Sequence, residues 1–213
     1  MAILHRAHLR PTKLELLGDW LPGQSWYAGA AHSQLVGVGA YRFDDPLGEV
    51  GIETHLIRAD GGPILQVPLT YRGAPLAGAE RLLVGTMEHS VLGQRWVYDA
   101  CGDPVYATAL TAIILGPATQ AEEYVEVDGR RDRRTPTALV TGTGQADNEA
   151  AAVQELEDLD CSSDGTRTVI TAPTVELTLL RVVDPATQAD EHALIGTWAG
   201  QEKPAPLAMA RQL

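Results

Sequence analysis

The feature that most constrains the fold is a change of hydrophobic period. Between residues 12 and 21 the apolar residues Leu14, Leu17 and Leu21 recur at helical spacing, with Leu16 and Trp20 four apart beside them. From residue 34 onward the spacing shortens to alternation. A period near 3.6 buries one stripe of a helix, and a period of two buries one face of a strand, so the chain must pack a short helix on sheet. Thr12 followed three residues later by Glu15 is a capping box that fixes the helix start, and Pro22-Gly23 stops it. Before the helix, residues 2–9 read as a strand carrying Ile3, His5 and Ala7 on one face.

Alternating segments at 34–42, 49–58, 63–71 and 80–88 are separated by "DDPLG", "ADGG" and "RGAPLAG", which are turn compositions, and read as antiparallel strands. In the second of them, Val50, Ile52, Thr54 and Leu56 share one face, while Glu49, Glu53 and His55 share the other. The expectation is one covered face and one wet face. A strand at 94–100 then leads to a second helix, with Asp103 as N-cap, Pro104 in the first turn and Gly116-Pro117 as the stop. Further strands are expected at 121–127, 136–143, 167–183 (broken near Pro173) and 194–210 (broken by "GQEKP"). The acidic, Ala-rich stretch between residues 145 and 165 reads as a loop or a short helix, and the pattern does not choose.

Short connections and two convincing helices favour an α+β fold, a curved antiparallel sheet with two short helices packed on it. Both halves run strand, helix, several strands, which suggests a duplication with units at 1–100 and 101–213 that pack as two units or as one compact domain. The Gly-Thr pair shared by "LLVGTMEH" and "LIGTWAGQ" supports this.

A length of 213 residues with 45% hydrophobic and 21% charged residues allows a large core without staples. Mean hydropathy of -0.08 and the lack of a long apolar run argue against a membrane span, and no secretory leader pattern is present. The expected location is cytoplasmic, which suits two free thiols, Cys101 and Cys161, the latter in the polar loop "DCSSDG". A net charge of -12 disfavours nucleic acid and anionic lipid as partners. The one basic cluster, Arg130, Arg131, Arg133 and Arg134, reads as a solvated turn.

No nucleotide, kinase or hydrolase signature occurs. "GVGAYR" lacks the third glycine of a dinucleotide loop, and His5 and His8 fall on opposite strand faces, which disfavours a shared metal. Neither cofactor nor metal is expected. Glu53 with His55, and Glu88 with His89, are the weak candidates for an enzymatic site, and they read more simply as surface polar residues. Asp99, Asp103 and Glu88 offer a carboxylate cluster, although the cap already accounts for Asp103. The aromatics Trp26, Tyr27, Trp96 and Tyr98 are the candidate partner or ligand surface, with core packing the favoured alternative.

"PTKLELLGDWLPGQSWYAG" resembles the N-terminal cap of maltokinase and related aminoglycoside-phosphotransferase-like sugar kinases, where a short helix reaches a W-L-P-x-Q-x-W-Y-x-G motif. Trp20, Leu21, Pro22, Gln24, Trp26, Tyr27 and Gly29 match it. "EHSVLGQRWVYDACGDPVY" is similar to a segment of standalone cap-like proteins. The family cap often carries an arginine before the Trp-Tyr and a basic residue after the Gly; Ser25 and Ala30 stand there. Up to Leu213 the sequence has neither the nucleotide-binding nor the catalytic lobe of those kinases, so no catalytic residue carries over. The resemblance implies a cystatin-like cap architecture in a standalone accessory protein that binds an enzyme of α-glucan or trehalose metabolism. A sugar- or metabolite-binding protein is the alternative, an enzyme with an unmotifed site a third, and open strand edges leave homodimerisation open.

Overall fold

The computed structural model describes residues 2–4, 8–127, 130–144 and 155–213. His5 and the part of the acidic stretch at 145–154 lie outside the described residues. Strands β1 (Ala2–Leu4) and β2 (Leu9–Arg10) precede helix α1 (Lys13–Trp20). The helix starts where local chemistry requires: Thr12 N–H donates to Glu15 Oε2 at 2.8 Å, and Glu15 N–H donates to Thr12 Oγ1 at 3.3 Å. A 3-10 turn at Leu21–Gly23 ends it. Strands β3 (Leu35–Phe43), β4 (Gly51–Ala59), β5 (Ile64–Arg72), β6 (Leu83–His89) and β7 (Gly93–Asp99) follow. Helix α2 (Pro104–Leu115) starts at Asp103, whose carboxylate accepts from Val105 N–H at 3.1 Å.

Strands β8 (Glu123–Val127), β9 (Arg130–Arg134), β10 (Ala138–Gly142), β11 (Asp160–Asp164), β12 (Arg167–Thr171), β13 (Val175–Leu180), β14 (Val182–Val183), β15 (Ala193–Trp198) and β16 (Gln201–Gln212) complete the chain. Two sequence expectations fail here. The arginine cluster is not a turn but strand β9, because it pairs with β8, whose flank presents acids: Arg133 meets Glu122 at 2.8 Å and Arg134 meets Glu123 at 3.9 Å. Cys161 is not in a loop but on β11, an edge strand of its sheet, paired with Ile170 of β12.

The architecture is α+β, with largely antiparallel sheets and two short helices. One sheet has the order β2-β6-β7-β5-β4-β3, a second β10-β15-β16-β13-β12-β11, and a small third β1-β8-β9, in which β1 and β8 are parallel. When β2 to β7 are set against β10, β11, β12, β13, β15 and β16, the two large sheets have the same strand order, and every neighbouring pair is antiparallel. Gly85-Thr86 then falls on β6 and Gly196-Thr197 on the corresponding β15. Gly93 and Gly200, with φ of 73° and 81°, occupy corresponding hairpin turns, each followed by glutamine, where left-handed backbone favours glycine.

Helix α1 packs one face of the first sheet, where Leu16, Leu17 and Leu21 meet Ile57, Leu65, Val67, Leu69 and Val97. The other face, with Tyr41, Phe43, Ile52 and Leu56, packs with α2 and with the second sheet through Leu177, Leu179, Leu194 and Leu207. Alternation along β4 therefore supplies both layers, and the face expected to be wet is covered.

The halves are also spliced. Strand β14 leaves the second half to pair with Ile64 and Leu65 of β5, whose same edge carries β7 at Leu69–Arg72. In the gap between them Gln66 is fully buried: its backbone N–H donates to Arg181 O, its amide to Leu180 O and Leu207 O at 3.0 and 2.8 Å, and its Oε1 accepts from Tyr41 Oη at 2.9 Å. The amide nitrogen thus ties the first sheet to β13 and β16 of the second, while Oε1 is held by Tyr41 of its own sheet.

Candidate functional site

Two groups of residues concentrate charge inside this frame. The first grows from β4. Pairing places Arg42 of β3 opposite Glu53, and alternation puts His55 on the same face, under the first turn of α1 where Lys13 projects. Glu53 is buried and binds Lys13, Arg42 (Oε1 to Nη2, 2.8 Å) and His55 (3.3 Å), while His55 Nε2 also lies 3.2 Å from Tyr71 Oη. The ammonium of Lys13 sits 5.4 Å from the Tyr71 ring centroid.

Burial alone would raise the Glu53 carboxyl, but His55, Arg42 and Lys13 outweigh it and hold it well below the carboxylate range. Burial pulls Lys13 below its ordinary value, only partly opposed by Glu53. Burial and the Glu53 charge push Tyr71 well up. The result is a fixed carboxylate under a set of cations, with the Lys13 side chain 26% exposed against 7% for Glu53. Sequence had placed Glu53 and His55 together on one strand face; Lys13 and Arg42 were missed, because their closeness follows from helix docking and strand register.

The second group is Arg181 and its partners. Its guanidinium is fully buried, donating to Asp99 Oδ2 at 2.5 Å, Thr168 Oγ1 at 2.7 Å and Cys101 Sγ at 3.1 Å. Burial opposes its charge, but Asp99 and Cys101 more than compensate, and its affinity for the proton is raised.

The four aromatics proposed as a surface do not converge. Trp26 is 4% exposed and packs with Leu21 and edge-on to Trp20, at 5.9 Å between ring centroids. Tyr98 is 3% exposed, and its Oη accepts from Leu76 N–H at 2.9 Å. Trp96 and Tyr98 alternate with Val97, which faces α1, so they lie on the sheet face opposite Trp26 and Tyr27. Tyr27 and Trp96 are half-buried and keep some exposure. Tyr27 folds back over Gly29, where a Cβ would collide with its ring, and donates to Ala30 O at 3.2 Å. This is the physical content of the Trp-Tyr-x-Gly spacing.

The other candidates disperse. Asp103 takes a two-pronged contact from Arg72 (2.8 and 2.7 Å) and Asp99 belongs to Arg181, while Glu88 is exposed on β6. His89 Nδ1 accepts from Val91 and Leu92 N–H in the hairpin turn, a structural role. Among the described residues no group of three or more His, Cys, Asp and Glu is arranged to hold a metal ion. No described helix is long and apolar enough to cross a membrane.

Residues 20–103 match the maltokinase N-terminal cap domain. The match runs from the end of α1 through β3 to β7, the strands that make up most of the first sheet, and ends at the cap of α2. No curated protein matches the chain.

Proposed function

From the similarity of residues 20–103 to the maltokinase N-terminal cap domain, we propose that this chain is a non-catalytic accessory module that binds a protein partner, an enzyme of α-glucan or trehalose metabolism, in the cytoplasm. That similarity is the observation that carries the reading. On this reading the cap is of the cystatin-like kind and the second sheet is its diverged copy; the shared strand order and the matching Gly-Thr and Gly-Gln positions support duplication. The surface assigned to the partner is the α1 side around Tyr27, because Trp26 and Tyr98 are buried and Trp96 lies on the other face.

The test is affinity capture with purified glucan- and trehalose-metabolising enzymes, comparing the wild type with Tyr27→Ala. Retention of one enzyme by the wild type and its loss with the folded variant is the expected result. Retention of none overturns the reading. A second reading, a small polar metabolite held at Lys13, Arg42 and His55, draws on the partial exposure of that group. It predicts a thermal shift with a sugar or sugar phosphate that Lys13→Met abolishes.

A further inference from the structure

The two cysteines are 60 positions apart in sequence, yet the fold brings them together. Cys101 lies in the 3-10 turn Ala100–Gly102 that follows β7, and Cys161 on β11 at the edge of the second sheet. The strand and the turn are packed on each other, and Cys161 lies against the same core cluster as Cys101. The fold thus places both thiols in one buried neighbourhood, close enough for each to act on the other's proton, and both are free. Their environments differ. Cys101 is fully buried with Arg181 Nη2 at 3.1 Å from its sulfur, whereas Cys161 keeps partial solvent access.

We propose that Cys161 and Cys101 form a hydroperoxide-responsive pair, Cys161 reacting first and Cys101 resolving it into a disulfide that staples the two halves of the fold. The Cys161 thiolate attacks one peroxide oxygen, the O–O bond breaks, and the departing hydroxide takes up the thiol's proton and leaves as water. Cys161 then carries a sulfenic hydroxyl. The Cys101 sulfur attacks Cys161 Sγ, the S–O bond breaks as the S–S bond forms, and the Cys101 proton leaves with that hydroxyl as a second water. Two thiols are oxidised by two electrons, and one peroxide is reduced to two waters.

The environments match these roles. The hydrogen bond from Cys101 lowers the Cys161 thiol below its ordinary range, which favours the reactive thiolate. Burial, and then the donation to Cys161, raises Cys101 well above that range, which keeps it protonated until it is attacked from within. Arg181 beside the Cys101 sulfur stabilises negative charge developing there during resolution. In a reducing compartment the pair stays open, as intracellular redox-sensing disulfides do. None of this depends on the proposed partner.

The experiment treats the full chain with hydrogen peroxide at slight molar excess and follows intact mass, non-reducing peptide mapping and thermal unfolding. The expected result is loss of both thiol hydrogens without added oxygen, a Cys101–Cys161 link in the map, a raised melting temperature, and reversal of all three by dithiothreitol. Cys101→Ser is expected to stop at a sulfenic acid on Cys161 that dimedone traps, and Cys161→Ser to leave Cys101 reduced. Oxidation of Cys161 to sulfinic acid while Cys101 remains free in the wild type overturns the proposal. So does a link between chains, oxidation of Cys101 in Cys161→Ser, or two thiols that stay unreacted.

Discussion

The guanidinium carbon of Arg181 lies 4.9 Å from the ring centroid of Trp26. One residue belongs to the aromatic motif that begins at the end of α1, the other to the link between β13 and β14, and their contact joins the core under α1 to the core around α2. A buried cation over an indole is attracted by the ring's quadrupole, and here Asp99 neutralises it as well.

Arg181→Ala is expected to cost about 3–5 kcal/mol in urea unfolding, since it leaves Asp99 buried without its counter-charge. Adding Asp99→Asn should restore part of that loss, because the uncompensated charge is then gone. A double-variant loss equal to the sum of the two single-variant losses would show that the pair is not coupled.

Gln66→Leu keeps the approximate volume but strands Leu180 O, Leu207 O and Tyr41 Oη. We expect a loss of about 2–4 kcal/mol, from several buried groups left partly unpaired at about 1–3 kcal/mol each. Native-state hydrogen exchange should show faster exchange in both β5 and β16; a change confined to β5 would deny Gln66 its bridging role.

Glu53 makes stability depend on acid. Its folded pKa is depressed, so its contribution is complete at neutral pH, above the unfolded value of about 4.3, and is lost as pH falls through that value toward the folded one. Glu53→Gln has no such carboxylate. The wild type should be the more stable by about 3 kcal/mol at pH 7, with the two unfolding curves converging below about pH 4. A constant difference across that range would contradict the ion cluster.

Trp26→Ala and Tyr27→Ala should differ in kind. The first empties a buried site and is expected to cost about 3–5 kcal/mol. The second removes a half-buried ring and one hydrogen bond, expected at about 1 kcal/mol. Denaturation midpoints of the two variants decide this, and a Trp26→Ala loss as small as that of Tyr27→Ala would mean the indole is not a core anchor.

Gly142→Ala tests how closely β10 approaches α2. A Cβ at Gly142 would strike the backbone carbonyl of Ile113, which cannot rotate away, so unfolding at lower denaturant is expected, by about 2 kcal/mol or more. Gly23→Ala, which meets nothing within 4 Å, serves as the neutral control.

Much of the local structure was legible in the sequence. The capping box at Thr12 and Glu15, the Asp103 cap with Pro104, and the alternation through residues 34–88 each act within a few residues, and the elements formed where they pointed. The same alternation misled at β4, because a face carrying Glu53 and His55 reads as wet when the cations that cover it, Lys13 and Arg42, come from other elements. Strand β9 was missed for the same reason: four arginines make a strand only when an acidic neighbour pairs with it.

By itself, then, the sequence determined where helices begin and stop, where the strands of residues 34–99 run, the overall α+β class and the likeness of its first half to a sugar-kinase cap. Tertiary structure alone decided that Arg181 reaches Asp99, 82 positions away, that β14 crosses to β5, that Trp26 turns inward, and that Cys101 and Cys161 share one core. The division follows from range: capping and periodicity are interactions between near neighbours, whereas a buried charge or thiol finds its partner only after sheets have paired and excluded water.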